Sequence, residues 1–170
     1  MRKSVLNTVW YHGEPERRAT WNDQRWDRDR STSSPNEAGP GIYFTDKRSE
    51  AESYGSVLYA ARVQPEFRLM PRARPSMQKL LTFARLAPED DLYYFRSNWD
   101  GLPLRTILER YSHQTTLHDA LMSLYGDLYR DPYTWVVAVV MLGYDGVVVS
   151  RETSTHLVVW NPNRLDIEEM

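Results

Sequence analysis

Gly39-Pro40-Gly41-Ile42-Tyr43-Phe44-Thr45 is the stretch of this 170-residue chain that most constrains its fold. Two glycines and a proline predict a turn, and the β-branched and aromatic residues after them predict a strand over 41–45. The next segment changes character, because Asp46 is a potential N-cap and Gly55 a potential stop for a short helix over Lys47 to Tyr54. The sequence therefore predicts a turn, a strand and a helix in immediate succession.

Further strands are predicted over the runs 5–11, 57–63, 146–149 and 156–160, which are rich in β-branched and aromatic residues. The first run stops at Gly13. Helical patterns occupy 75–86, 103–111 and 131–142. We therefore predict an α+β fold with a single domain over 1–170, in which a helical insertion over 66–140 separates the N-terminal strands from the C-terminal ones.

The composition excludes several classes of protein. The chain has no cysteine, which excludes a disulfide scaffold, a thiolate zinc site and a cysteine nucleophile. A net charge of −2 excludes a uniformly basic coat for nucleic acid but allows a local patch. The longest apolar run, Tyr133 to Leu142, is about half of the ~20 residues that a transmembrane helix needs. We expect no membrane partner and a cytoplasmic location, in the protein's own host or in a target cell.

A polar segment over 14–39 separates the first predicted strand from the second. It alternates arginine with aspartate and ends in a serine-rich piece. Loops of this length in compact domains are usually functional or disordered. We predict one short helix in it, around Trp21 to Trp26, and two readings of its arginines: contacts with a nucleic-acid backbone, or Arg–Asp pairs on the surface.

Three pieces of sequence carry residues suited to chemistry: Tyr11-His12-Gly13, Tyr43 with Tyr54 eleven residues later, and the strand His156 to Trp160. His-Gly at a strand end offers an imidazole beside a backbone that a ligand can approach closely. Two phenol rings at a cleft edge suit a flat aromatic ligand. Taken singly, each piece is better explained by ordinary strand packing than by a ligand site.

Together, these pieces resemble the ADP-ribosyltransferase family, in its diphtheria-toxin and poly(ADP-ribose) polymerase branch. That branch has His-Gly on its first strand, Gly-[Ile/Val]-Tyr-Phe on the next with a second Tyr eleven residues on, and a late strand that usually reads Glu-Tyr-Val-Val-Phe-Asp-Pro. The matching stretches are Tyr11-His12-Gly13, Gly41-Ile42-Tyr43-Phe44, Ala51-Glu52-Ser53-Tyr54 and His156-Leu157-Val158-Val159-Trp160-Asn161-Pro162. The stretch Gly143-Tyr144-Asp145-Gly146-Val147 also resembles sequence found in small bacterial and phage-encoded members of this family. The resemblance covers 5–63 and 141–167, in the family's order.

The resemblance implies an ADP-ribosyltransferase-like split antiparallel β-sheet core, with NAD as substrate and no metal. It implies that His12 binds a hydroxyl of the adenosine ribose and that the backbone of Gly13 pairs with the nicotinamide carboxamide. Tyr43 and Tyr54 would sandwich the nicotinamide ring, and the loop from Arg17 to Pro40 would cover the dinucleotide. Nicotinamide would leave through an oxocarbenium-like transition state, followed by capture of the ADP-ribose by a nucleophile.

The main departure from the family is His156, which stands at the position of the catalytic Glu. A neutral imidazole accepts the same hydrogen bond but supplies no negative charge, and losing one such electrostatic contact typically costs ~3 kcal/mol. Glu152 in the preceding loop is either a substitute carboxylate or a solvated loop residue. Ala51 replaces a Ser found in many relatives, and Ser154 replaces the Glu or Gln of arginine-modifying relatives.

These observations predict a mono-ADP-ribosyltransferase of the toxin, effector or phage-related kind, with His156, Tyr43 and His12 in catalytic positions. Its partners would be a protein or nucleic-acid acceptor and, in the toxin case, an antitoxin or inhibitor chain. The alternatives are a catalytically impaired module that binds NAD or ADP-ribose, and an NAD glycohydrolase. His113 and His118 are five residues apart, one more than the helical spacing that puts two ligands on one face, so we expect no metal there.

Overall fold

The computed structural model describes residues 2–21 and 39–170. The strands in these residues are β1 (Trp10–Glu14), β2 (Ile42–Thr45), β3 (Val57–Val63), β4 (Gly146–Ser150), β5 (Thr155–Val159) and β6 (Leu165–Glu169). They form one antiparallel sheet in the order β4-β5-β2-β1-β3-β6. Helices accompany the sheet, so the predicted α+β class is confirmed.

The helices in the described residues are α1 (Arg2–Asn7), α2 (Arg48–Glu52), α3 (Met77–Arg85), α4 (Glu89–Ser97), α5 (Leu104–Glu109), α6 (Leu117–Leu124) and α7 (Pro132–Met141). Short 3-10 helices cover Tyr111–His113 and Pro162–Arg164. The sequence predicted α2, α3, α5 and α7 but missed α4, α6 and the strand β6. No helix in the described ranges is long and apolar enough to cross a membrane.

The N-terminal prediction was wrong, because the strand predicted over 5–11 begins only at Trp10 and continues through Gly13. Val5 and its neighbours belong to the helix α1 instead. The Trp10 indole donates to the Val5 carbonyl at 3.3 Å, and the Thr8 hydroxyl donates to the Ser4 carbonyl at 2.7 Å. These side-chain bonds satisfy carbonyls at the end of the helix, and they outweigh the strand preference of a short β-branched run.

Asp46 does not cap α2, which corrects a second prediction. Lys47 is the N-cap residue and provides no side-chain hydrogen bond. The Asp46 carboxylate instead accepts from the Thr155 backbone N–H at 2.9 Å, while the Asp46 N–H donates to the Thr155 carbonyl at 3.0 Å. These two hydrogen bonds hold the turn after β2 against the start of β5, and they thereby fix the position at which α2 begins.

The chain divides into two compact units. The helical unit contains 70–143 and, among the described residues, 39–40. Thr116 and Asp119 form a capping box at the start of α6, and the Asp131 side chain caps α7. In the core of this unit, the buried Trp135 indole donates to the Leu121 carbonyl at 2.9 Å. A single domain over 1–170 with an insertion over 66–140 stays a prediction.

The sheet unit contains 41–69, 144–170 and the described N-terminal residues. Its apolar core includes Trp10, Ile42, Phe44, Ala61, Val63, Phe67, Val148, Leu157, Val159 and Leu165. The register places Tyr43 opposite Val158 and Thr45 opposite His156. Since side chains alternate between the two faces of a strand, Tyr43, Thr45 and His156 share the face opposite to Phe44 and the core.

The buried carboxylate of Asp145 links the hairpin formed by β4 and β5 to the segment that follows β3. Asp145 accepts from the Arg68 backbone N–H at 2.8 Å, from its guanidinium at 3.0 and 3.1 Å, and from the Asn161 amide at 2.8 Å. Burial raises the pKa of Asp145, but the hydrogen bonds from Arg68 and Asn161 outweigh it and hold the pKa below its ordinary value. Asp145 is therefore a structural carboxylate that is ionised in the folded protein.

Candidate functional site

His156, which the resemblance aligns with a catalytic Glu, lies in a small polar cluster on the face of the sheet away from the core. We call it the Glu50 cluster, and it comprises Thr45, Glu50, Ser154 and His156. Thr45 ends β2 and His156 is its partner on β5, so the register alone brings these two side chains together. Glu50 lies in the first turn of α2, where negative charge is favoured by the helix dipole.

Hydrogen bonds converge on the Glu50 carboxylate. Thr45 Oγ1 donates to Oε2 at 2.6 Å, and His156 Nε2 lies 2.9 Å from Oε1. Ser154 also bonds to Glu50, and its hydroxyl lies 3.2 Å from His156 Nε2. Burial raises the pKa of Glu50, but these three hydrogen bonds outweigh it and hold the pKa below its ordinary value. The cluster therefore contains a carboxylate that stays ionised.

His156 is 4% exposed, and its ring is anchored on one side. An ionised carboxylate only accepts hydrogen bonds, so His156 Nε2 is protonated and donates the hydrogen bond to Glu50. No hydrogen-bond partner for Nδ1 exists in the described part of the chain. The Tyr43 ring stands edge-on to the imidazole, with ring centroids 6.4 Å apart. The structure thus brings together Tyr43 and His156, two of the three predicted catalytic residues.

His12 belongs to a second polar group on the core-side face of the sheet. It lies opposite Tyr59 in the register, and its ring contacts Phe44 and Trp21 at centroid distances of 5.2 and 5.5 Å. It reaches Tyr43 only through the backbone, since its Nδ1 lies 2.6 Å from the Tyr43 carbonyl oxygen. Alternation along the strands therefore places the His12 ring and the His156 ring on opposite faces.

Glu14 anchors this second group. Its Oε1 accepts from His12 Nε2 at 2.9 Å, and the Arg18 guanidinium bonds to the same oxygen. Burial raises the pKa of Glu14, but the hydrogen bonds from His12 and Arg18 and their charges lower it to about 2. Because the Tyr43 carbonyl and the Glu14 carboxylate are both acceptors, both bonds of His12 form only when both ring nitrogens carry protons.

Gly13 and Tyr54 are placed by the packing of α2 on β1. A Cβ on Gly13 would lie 1.9 Å from the Ala51 carbonyl oxygen, and one on Gly55 would meet the backbone of Glu14 equally closely. Glycine is needed at both positions because two backbones touch there. Tyr54 is 56% exposed, and no ring contact joins it to Tyr43 in the described residues. The nicotinamide sandwich stays a prediction.

The sequence left Glu152 open as either a substitute carboxylate or a solvated loop residue, whereas the carboxylate that the structure places beside His156 is Glu50. Glu152 is exposed in the hairpin loop between β4 and β5. The sequence does not identify Glu50, because its partner His156 is 106 residues away in the chain. The available signal was the first-turn position of an acidic residue directly after the Tyr-Phe-Thr strand.

Two further predictions concern loops and metals. Residues 22–38 lie outside the described residues, and with them most of the predicted donor loop over 17–40 and of the helix around Trp21 to Trp26. The described ranges contain no group of three or more His, Asp or Glu side chains arranged to hold a metal ion.

Comparison with known proteins gives little. No family profile matches the chain, and no curated protein matches it. Among solved structures, the chain is similar to one titled "Crystal structure of an anti-CRISPR protein", with 15% sequence identity and a TM-score of 0.41 over 98% of each chain. A TM-score below 0.5 is too low to establish a common fold.

Proposed function

We propose that the chain is an NAD-dependent mono-ADP-ribosyltransferase that modifies a macromolecular acceptor. The observation that carries this proposal is the strand order β5-β2-β1 at the centre of the sheet. It makes neighbours of the three segments that carry the resemblance, although the third comes more than a hundred residues after the others. Within it, the Tyr43 and His156 rings lie edge-on to each other on one side of the sheet.

The finer fold, a split ADP-ribosyltransferase-like sheet, is part of the same proposal. Its support comes from the junction of β1 and β2, whose register is a single pair, Tyr11 opposite Thr45. One step further along, the His12 side chain bonds to the Tyr43 carbonyl in place of a strand-to-strand bond. An antiparallel ladder of one pair is the pattern that a sheet split between β1 and β2 predicts.

The reaction would break the bond between C1′ of the nicotinamide ribose and the pyridinium nitrogen of NAD. The bonding electron pair leaves with nicotinamide, which becomes neutral, and positive charge develops on the ribose C1′ and ring oxygen. A lone pair of the acceptor then forms the new bond to C1′, and the acceptor's proton passes to water. Preorganised negative charge beside the sugar lowers the barrier to this step.

The residue roles follow the resemblance and are adjusted to the geometry. Tyr43 and Tyr54 would hold the nicotinamide ring, and the Gly13 backbone its carboxamide. His12 would hold a hydroxyl of the adenosine ribose. Since Glu14 already occupies His12 Nε2, that hydroxyl would replace Glu14 as its partner.

A non-catalytic NAD-binding module is the second candidate, because the residue at the catalytic position is an imidazole that is almost fully buried. Incubation of the chain with NAD labelled on its adenylate, together with a cell lysate, separates the possibilities. Label on protein or nucleic acid supports the transferase, and protease and nuclease digestion identify the acceptor class. Free ADP-ribose alone indicates a glycohydrolase, and binding without turnover indicates the module.

Tyr43→Ala tests the assignment of the site. It should abolish label transfer, because one face of the nicotinamide clamp is lost. Tyr93→Ala is the matched control, since Tyr93 is 70% exposed on α4 and should leave transfer unchanged. Full transfer by Tyr43→Ala would refute the clamp.

A further inference from the structure

We propose that Glu50, not a residue of β5, supplies the catalytic carboxylate of this site, and that His156 is the residue that positions it. The inference rests on the proposed function. It assigns to α2 a charge that the resemblance places on β5.

The first argument is distance. The residue at the family's carboxylate position, His156, has its Nε2 2.9 Å from Glu50 Oε1. The negative charge therefore lies on α2, one imidazole ring and one hydrogen bond away from β5, where the resemblance places it. It remains on the face of the sheet that carries Tyr43, because Thr45, two residues after Tyr43 on β2, donates to the same carboxylate.

The second argument is accessibility. The Glu50 side chain is 24% exposed, whereas that of His156 is 6% exposed. The imidazole nitrogen that has no hydrogen-bond partner among residues 2–21 and 39–170, Nδ1, is fully covered. Of the two members of the pair, the carboxylate is thus the one that an entering ribose can touch.

The third argument is hydrogen-bonding capacity. A carboxylate has about four acceptor positions, and Thr45, Ser154 and His156 use three of them. One position remains for a ribose hydroxyl. The three protein donors keep the group ionised and fix its orientation before substrate binds, which is the condition for electrostatic stabilisation of a developing cation.

The neighbouring carboxylates are engaged elsewhere or lie in solvent. The Asp46 carboxylate accepts from the Thr155 backbone, and Glu52 pairs with Arg48 on the exposed side of α2. Glu152 is exposed in the hairpin loop. Glu50 is the carboxylate of this region that the fold holds against His156.

The test compares the rate of nicotinamide release from NAD by the full chain and by single variants. Glu50→Gln should lower kcat about 100-fold with KM within about threefold of the parent, because the lost charge acts in the transition state. Glu52→Gln, on the same helix, should leave both constants unchanged. Glu50→Asp keeps the charge on a shorter side chain, so it should fold like the parent and show an intermediate kcat.

The positioning role of His156 has its own readout. His156→Gln retains an N–H donor for Glu50, whereas His156→Phe does not. We expect His156→Gln to retain about ten times more of the parental kcat than His156→Phe, with similar KM values. Equal kcat values for these two variants would refute the positioning role.

The outcomes distinguish the two levels of the inference. If the parent releases nicotinamide and folded Glu50→Gln does so equally fast, the assignment of Glu50 is wrong, whereas the proposed cleavage of NAD is supported. If Glu152→Gln alone abolishes release, the carboxylate lies in the hairpin loop and the assignment is again wrong. If the parent neither binds nor cleaves NAD, both the function and the assignment fall.

Discussion

Glu14→Gln gives the most quantitative test of the structure. The substitution removes the charge that His12 and Arg18 share while keeping the size of the side chain. In the folded protein the pKa of Glu14 is lowered to about 2 from an ordinary value of 4.5. At about 1.4 kcal/mol per pKa unit, the folded state favours the ionised form by about 3 kcal/mol. We therefore expect Glu14→Gln to lose about 3 kcal/mol of unfolding free energy at pH 7.

The sign of the pH dependence follows from the lowered pKa. The contribution of Glu14 is complete above the unfolded pKa of 4.5 and is lost as the pH falls toward 2. The free-energy difference between parent and variant should therefore shrink steadily as the pH falls below about 5. Carboxylates that do not contact Glu14 titrate in both proteins and cancel in this difference.

Urea denaturation followed by tryptophan fluorescence at several pH values measures this difference, and Glu16→Gln serves as the exposed control. Glu16 lies two residues from Glu14 at an exposed position, so its variant should match the parent within about 0.5 kcal/mol. A Glu14→Gln loss that is below about 1 kcal/mol, or that does not change between pH 7 and pH 3, would refute the anchoring role.

Three further predictions concern the rest of the sheet unit. Asp145→Ala should cost about 2 kcal/mol at pH 7, and the cost should shrink below about pH 4 because the pKa of Asp145 is lowered from 3.8; a pH-independent cost in denaturation curves would contradict this. Gly13→Ala should cost about 2 kcal/mol, since the new Cβ meets the Ala51 carbonyl oxygen; an unchanged thermal midpoint would show that α2 yields freely. His156→Glu places a second carboxylate against Glu50, and protonation of one of the two relieves their repulsion. The thermal midpoint of the variant, measured relative to that of the parent, should therefore be higher at pH 5 than at pH 7. A relative midpoint that is higher at pH 7 would refute the contact.

Much of the secondary structure follows from local pattern. The bounds of β3 were predicted correctly, because a β-branched and aromatic run lies between Gly55 and Pro65. The helix α4 was missed because it buries a single apolar side chain, Phe95, and exposes Tyr93 and Tyr94. Such a helix has no apolar stripe to detect. The strand β6 was missed although Leu165 and Ile167 alternate with polar residues along it.

The candidate site was predictable only in part. Tyr43 and His156 were identified by resemblance, and the register confirms that they are neighbours. Glu50 was not identified, because its role depends on where α2 docks against a strand 106 residues later. Glu14 was missed for a related reason: its contact with Arg18 forms only when the segment after β1 folds back onto it.

The strand order has a consequence for how the sheet is completed. Residues 144–170 supply three of the six strands in the described chain, and these lie on both sides of the N-terminal three. Until they arrive, β2 and β3 each present an unpaired edge, which is a template for pairing with other chains. Closing the sheet requires contacts between segments about a hundred residues apart, so this step should be slow compared with helix formation. Residues 144–170 thus pair with both outer edges of the three N-terminal strands. A nascent or truncated chain without these residues should be prone to aggregation.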